Sequence, residues 1–387
     1  MDTREKTSFA LVFVLWAAGL GAAGQFAKIS VIFPTIQEIY HGAGPSLGFL
    51  VSLISFLGIG LGLFAGLIVT RIGFRKLLLF ALVWGAALSA WQSILPSLPL
   101  MLASRVIEGV SHLVIVVAAP TLIAQVSARK HRTITMTLWS TFFGVSFAAV
   151  AWLGIPLVEK YGVSSLFLSH AVFMAAVAAA LFVMLPSTGT SGVRQERFGF
   201  AEILERHVHI YSSPFEAAPA IGWLFYTLTF VSLLTILPGF VAAEHRALVT
   251  GAMPLAGIAS SISIGVLLLR YMEAVRVVML GFSAAFFVTL LIMIFPDNPW
   301  LYIALVGALG LVQGASFAAI PQLNRNADAQ AHANGAMAQM GNLGNTLGTP
   351  LLLVVIAAFG QKGMIGFLLM CYSFGFMIHV VQGRRRR

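Results

Sequence analysis

Apolar residues in this chain come in long unbroken runs, not in the short alternations of a soluble domain, and the runs are cut by small clusters of charge, glycine and proline. Runs long enough to cross a bilayer as helices fall at residues 8–33, 46–70, 77–95, 99–125, 134–158, 163–185, 218–241, 247–269, 275–295, 299–323, 334–359 and 363–381. Between them stand HGAGP at 41–45, RIGFRK at 71–76, PSLP at 96–99, SARKHR at 127–132, EKYG at 159–162, RALVTG at 246–251, PDNP at 296–299 and GQKG at 360–363. The one long interruption, 187–214, carries Gly, Ser, three arginines and the stretch FAEILERH, which predicts a short interfacial helix. The pattern predicts an all-α membrane protein of twelve transmembrane helices, six before and six after that linker: an N-terminal bundle over 1–186, a cytoplasmic linker over 187–214 and a C-terminal bundle over 215–387.

Composition agrees. Of 387 residues, 59% are hydrophobic and 9% charged, where a soluble domain spends about a quarter of its residues on charge. The formal charge of +10 raises nucleic acid or an acidic substrate as partners, but the positions of the charges supply a simpler cause. With the N-terminus inside, alternate loops collect 18 lysines and arginines on the inner side and 3 on the outer, and the remaining two of the 23 lie inside spans. That asymmetry predicts both termini in the cytoplasm. The basic tail Arg384 to Arg387 is a solvated, stop-transfer end with affinity for anionic lipid, and no nucleic acid partner is expected. The opening MDTREKTSFALVFVLW has no small-polar cleavage segment after it and is expected to be an uncleaved first span. One cysteine, Cys371, excludes an internal disulfide and a CxxC metal site.

The stretch GLIVTRIGFRK, 66 to 76, resembles the loop motif between the second and third spans of the major facilitator superfamily. Gly66, Arg71, Gly73, Arg75 and Lys76 match it, while Thr70 stands where the family usually has an aspartate and Phe74 where it has a basic residue. Thr70 retains an oxygen able to cap a helix but not the charge, so the loop departs from the family's full charge latch. RVIEG, 105 to 109, is similar to the family's arginine-bearing motif in the fourth span, with Glu108 where a glutamine is common. The fifth span departs from the Gly-Pro signature of the superfamily's proton-coupled drug antiporters: GVSFAAVAWLGIP, 144 to 156, keeps only Gly144, Gly154 and Pro156. The second half repeats the loop motif faintly, as GVLLLRYMEAVR at 265 to 276. The resemblance implies two six-helix bundles around a central cavity, alternating access to a site near the midplane, a monomeric carrier and no enzyme or cofactor. No phosphate-binding glycine loop or His/Cys cluster contradicts that.

Three ionisable residues stand within the apolar spans, where each is a functional hypothesis by default: Lys28 in the first, and Arg105 and Glu108 in the fourth. Arg105 and Glu108 are three apart and can pair. Antiparallel first and fourth spans put Lys28 and Arg105 at similar depth near the outer side, and two cations with one carboxylate favour an anionic substrate. The alternatives are a structural Arg105–Glu108 pair and a Lys28 that snorkels outward to the headgroups. AKISVIFPTIQEIY, 27 to 40, more loosely resembles the first span of monocarboxylate and related organic-anion carriers, which implies a carboxylate-binding role for Lys28. Glu108 and His112 are the candidates for proton coupling, with His170 a further titrating group and His379 placed at the interface. Gln25, Gln92 and Gln313 supply uncharged polar contacts. In NGAMAQMGNLGNTLGTP, 334 to 350, glycines suit close helix packing, and Asn342 and Asn345 either serve that packing or act as substrate donors opposite Lys28. The sequence thus points to a proton-coupled secondary carrier of a small organic anion in a prokaryotic inner membrane; the alternative is a proton-coupled exporter of drugs or of a siderophore-like metabolite.

Overall fold

The computed structural model describes residues 6–61, 73–185 and 207–387. Its described residues carry eleven helical segments long and apolar enough to cross a membrane. They are α1 Phe9–Ser30, α2 Gly44–Leu61, α3 Phe74–Gln92, α4 Leu98–Val126, α5 Phe142–Tyr161, α6 Val163–Met184, α7 Ala217–Phe240, α8 Ala243–Leu268, α9 Ala274–Ile294, α10 Trp300–Leu323 and α11 Ala327–Arg385. The sequence pattern divides the last of these in two, and the geometry shows why. At 59 residues, α11 would run about 88 Å if straight, far beyond the ~30 Å of a bilayer's hydrocarbon.

It is not straight. Gly360 has φ 60° and ψ −152°, a conformation that glycine adopts without the steric cost a Cβ would bring. Contacts along α7 give the direction of each limb. In the first, 327–359, Gly341 packs on Trp223, Gly344 on Leu224 and Thr227, and Gly348 on Leu228 and Ser232, so that limb climbs alongside α7. In the second, 361–385, Phe374 meets Phe225 and His379 meets Gly222, so that limb descends. The 59 residues therefore form a helical hairpin, and glycine allows the close approach of its first limb to α7: a Cβ at Gly348 would lie 2.2 Å from the Leu228 carbonyl oxygen.

Two halves meet along helix pairs. α2 and the first limb of α11 run antiparallel in contact from Gly48 against Pro350 to Gly58 against Asn342, and the Gln339 Nε2 donates to the Ile59 carbonyl at 3.3 Å. α5 meets α8 through Gly144 against Ile258 and Trp152 against Gly251. One core cluster joins α1, α3, α4 and α6 through Leu15, Leu82, Ile115 and Met174. A larger one runs from Phe26 and Phe147 to Phe282 and Tyr372 and crosses the two halves. Large apolar side chains also face outward, including Leu153, Phe182, Val183 and Phe287, as lipid contact requires. The predicted linker lies outside the described residues up to 206; from His207 a short helix leads to α7, and the Tyr211 hydroxyl donates to Gln339 Oε1 at 2.8 Å.

Candidate functional site

Helical spacing gathers the polar residues of α1 on one face: Gly21, Gln25 and Lys28 stand at i, i+4 and i+7. The same rule puts Ser89 and Gln92 together on α3 and Ser104, Arg105, Glu108 and Ser111 on α4. These faces turn toward each other inside the first six helices, and Lys28, Arg105, Glu108, Gln25, Gln92 and Ser89 are all completely buried.

Glu108 is the centre. Its Oε1 accepts from Lys28 Nζ at 2.6 Å, and its Oε2 accepts from Arg105 and, at 2.9 Å, from Gln92 Nε2. Lys28 completes its three donor directions with Ser89 Oγ at 2.5 Å and Gln92 Oε1 at 2.7 Å, so it points inward and does not snorkel. The Phe167 ring lies 5.3 Å from its ammonium. Arg105 spends Nε on the Leu50 carbonyl and Nη2 on the Gln25 carbonyl, both at 2.7 Å, and so ties α4 to α2 and α1. Gly109, one residue beyond Glu108, lets α4 close on α2: a Cβ there would sit 2.6 Å from the Ile54 carbonyl oxygen.

The network extends on both sides. Ser89 Oγ pairs with His170 Nδ1 at 2.7 Å, and the His170 Nε2 lies 2.9 Å from the Gly21 carbonyl, which fixes Nε2 as the protonated nitrogen and Nδ1 as the acceptor in the neutral ring. On the other side Gln25 Nε2 donates to Ser111 Oγ at 2.9 Å, and Ser111 donates on to the Ala81 carbonyl. His112 stands apart from Glu108, its Nδ1 3.1 Å from the Ala22 carbonyl and its ring edge-on to Phe26. Two cations thus share one carboxylate in a water-excluded site between α1, α3, α4 and α6.

Other sequence candidates lie elsewhere. Asn342 packs against Gly58 of α2 and donates to the Ala338 carbonyl at 2.9 Å, and Asn345 buries an Oδ1 with no partner among the described residues. Neither amide hydrogen-bonds to the Lys28 cluster. Gly66, Thr70 and Arg71 lie outside the described residues. Gly73 enters α3 with φ 99°, Arg75 Nη2 donates to the Phe182 carbonyl at 2.8 Å, and Lys76 is exposed. His379, placed by sequence at the interface, is buried. Sequence reasoning did not assign Ser89, Gln92 and Ser104 to the cluster; their signal was polar residues one turn apart within apolar helices.

A chain of rings links the halves. His112, Phe26, Phe143, Phe230, Tyr226 and Trp223 follow one another at centroid distances of 5.1, 5.7, 6.0, 5.0 and 4.4 Å. It runs from α4 and α1 through α5 to α7.

Helices of membrane-crossing length, antiparallel neighbours and a sealed ionic cluster define a multi-span membrane protein of the transporter class. The chain belongs to the Major Facilitator Superfamily, whose family model matches residues 11–349. Its fold is similar to that of the Escherichia coli fucose:proton symporter, with a TM-score of 0.66 at 15% identity, covering 97% of this chain and 99% of that one. It is also similar to a bacterial homologue of the human lysosomal transporter Spinster in an inward-facing, unoccupied conformation, with a TM-score of 0.70 at 12% identity over 98% and 94% of the two chains. No curated protein matches the chain by sequence. The fold is that of alternating-access secondary transporters, and the protein is a carrier, not an enzyme.

Proposed function

We propose that this protein carries a small organic anion across the cytoplasmic membrane by alternating access, coupled to protons. One observation carries the reading: Lys28 and Arg105 share the single carboxylate of Glu108 in a completely buried site. Ionised groups at such depth are costly and are kept where they bind or move charge.

The charge count supplies a mechanism. With all three groups ionised the cluster carries one net positive charge. A proton on Glu108 removes the negative charge that pairs with Lys28 and raises the count to two, which one monoanionic substrate brings back to one. Loaded with both, the cluster has the same net charge as when empty, so reorientation in a low-dielectric medium carries no extra charge. Lys28 and Arg105 hold the carboxylate and Glu108 takes the proton; Gln25 orients Arg105 through its carbonyl. His112 is a second proton acceptor beside Phe26, and Asn342 and Asn345 contact substrate from α11.

On this reading the α11 hairpin counts as two spans, giving twelve in two six-helix halves, which supports a monomer with both termini in the cytoplasm of a prokaryotic cell. The lysine and arginine asymmetry then places the contact of Gly48 with Pro350 on the outer side, and the conformation is closed to the outside. The loop from Gly66 through Thr70 and Arg71 to Gly73, Arg75 and Lys76 acts in the conformational change.

The ring chain from Phe26 to Trp223 favours a second reading. Aromatic faces suit an apolar body, so a proton-coupled exporter of drugs or of an anionic chelating metabolite remains the alternative.

Proteoliposomes with an internal pH dye separate the two. Small carboxylates are expected to drive proton movement that Lys28→Ala and Glu108→Gln each abolish while the proteins stay folded. Proton movement only with lipophilic cations, or carboxylate affinity unchanged in Lys28→Ala, would sink the anion site.

A further inference from the structure

At the end of the C-terminal helices that carries the chain terminus lies a cavity of about 550 Å³, and the carrier mechanism makes no use of it. Phe215, the start of α9, the end of α10 and the end of α11 enclose it. We propose that this cavity is a binding site for a phosphate group, separate from the transport site.

Its charge is one-sided. Arg276, Arg384, Arg386 and Arg387 line it, with Glu273 the one acidic side chain among the lining residues. Glu273 does not neutralise them. It meets Arg276 at 3.5 Å with the two side chains 74% and 70% exposed, a water-screened pair of little strength. The basic tail is not a loose brush either. Arg386 donates to the Pro214 carbonyl at 2.8 Å and Arg385 to the Ser212 carbonyl at 2.9 Å, which folds the tail over the approach to α7 and sets Arg384 and Arg387 at the rim. The start of α9 adds the positive end of a helix dipole.

The second observation is independent of these charges. His379 lines the same cavity, 2% exposed, and neither Nδ1 nor Nε2 has a hydrogen-bond partner among the described residues. Buried polar groups are nearly always paired; Nε2 packs toward Gly222 of α7, which leaves Nδ1 as the nitrogen for an acceptor oxygen in the cavity. Several guanidinium forks around one cavity can engage more oxygens than the two of a carboxylate, and a phosphate supplies them. The ligand chemistry is therefore a phosphate, borne by an anionic phospholipid headgroup or by a soluble phosphate compound.

The test uses the purified full chain in detergent, free of added lipid. Binding is read as retained lipid by native mass spectrometry and as a rise in unfolding temperature, with phosphatidylglycerol, phosphatidylcholine and inorganic pyrophosphate at matched ionic strength. Phosphatidylglycerol is expected to be retained and to raise the unfolding temperature while phosphatidylcholine is not; a rise with pyrophosphate alone names a soluble phosphate as the source. Each arginine neutralised in Arg276→Gln and Arg387→Gln should weaken binding about five-fold. His379→Leu should also weaken it, and Arg129→Gln, at the surface of the other half, should not. No rise above phosphatidylcholine or chloride, or wild-type affinity in the Arg276→Gln, Arg387→Gln double variant, would overturn the site. Equal loss in Arg129→Gln would reduce it to general surface attraction and overturn it as well. Because these readouts need no transport, they stand or fall apart from the anion-carrier reading.

Discussion

The two halves of this protein differ in the charge they bury. In the first six helices three charged side chains interlock: each donor of Lys28 has an acceptor, and Glu108 accepts from Lys28, Arg105 and Gln92. In the second half several buried uncharged groups, Tyr226, Ser316, Thr346 and both nitrogens of His379, have no partner among the described residues, as Ser30, Ser52 and Ser55 have none in the first half. The difference follows from the cost of each kind of group. An unpaired charge in a dry interior costs far more than an unpaired hydroxyl, so the charged groups must be paired, while hydroxyls in either half can be left open.

That contrast can be broken most severely at its centre. Glu108→Ala leaves two buried cations facing each other and is expected to destabilise the protein by about 3–5 kcal/mol, read as loss of the folded species in size-exclusion chromatography or in a thermal melt. Lys28→Met should cost less, because it leaves Arg105 and Glu108 as a neutral pair. Equal losses for the two would show that charge balance does not govern the site. Gln92→Leu strips one hydrogen bond from Lys28 and one from Glu108 and should cost about 1–3 kcal/mol. Gly348→Val drives a side chain into the Leu228 carbonyl of α7 and is expected to cost a similar ~1–3 kcal/mol through overpacking, measurable by the same melt. The smallest effect is expected in the other half. Tyr226→Phe removes a hydroxyl that has no partner among the described residues, so the melt should move by less than the ~1 kcal/mol of an ordinary hydrogen bond, or move upward. A large loss there would mean that the hydroxyl makes a hydrogen bond.

Much of this was legible in the chain because a bilayer constrains it so strongly. Apolar run length fixed where the helices lie, since backbone polar groups in hydrocarbon must be satisfied within the segment. α11 shows the same constraint: GQKG at 360–363 marks the turn by composition, and Gly360 reverses the chain there. Intramembrane ionisable residues were conspicuous for the same reason, and Arg105 with Glu108 at i, i+3 already implied a pair.

Partner choice was a different matter. Lys28 stands 61 residues from Ser89, 64 from Gln92 and 80 from Glu108, and helical spacing gives the face each residue occupies but not which faces meet. The sequence by itself determined the approximate positions of the helices and the identity of the costly groups, because hydrophobic burial and backbone hydrogen bonding act locally; the fifth helix, expected at 134–158, runs over Phe142–Tyr161. Only the tertiary structure decided that Lys28 turns inward to Glu108, that Asn342 lies against Gly58, and that His379 reaches a basic cavity with both nitrogens open. Those outcomes rest on which helix packs against which, and that is set by the sum of many contacts across the whole bundle.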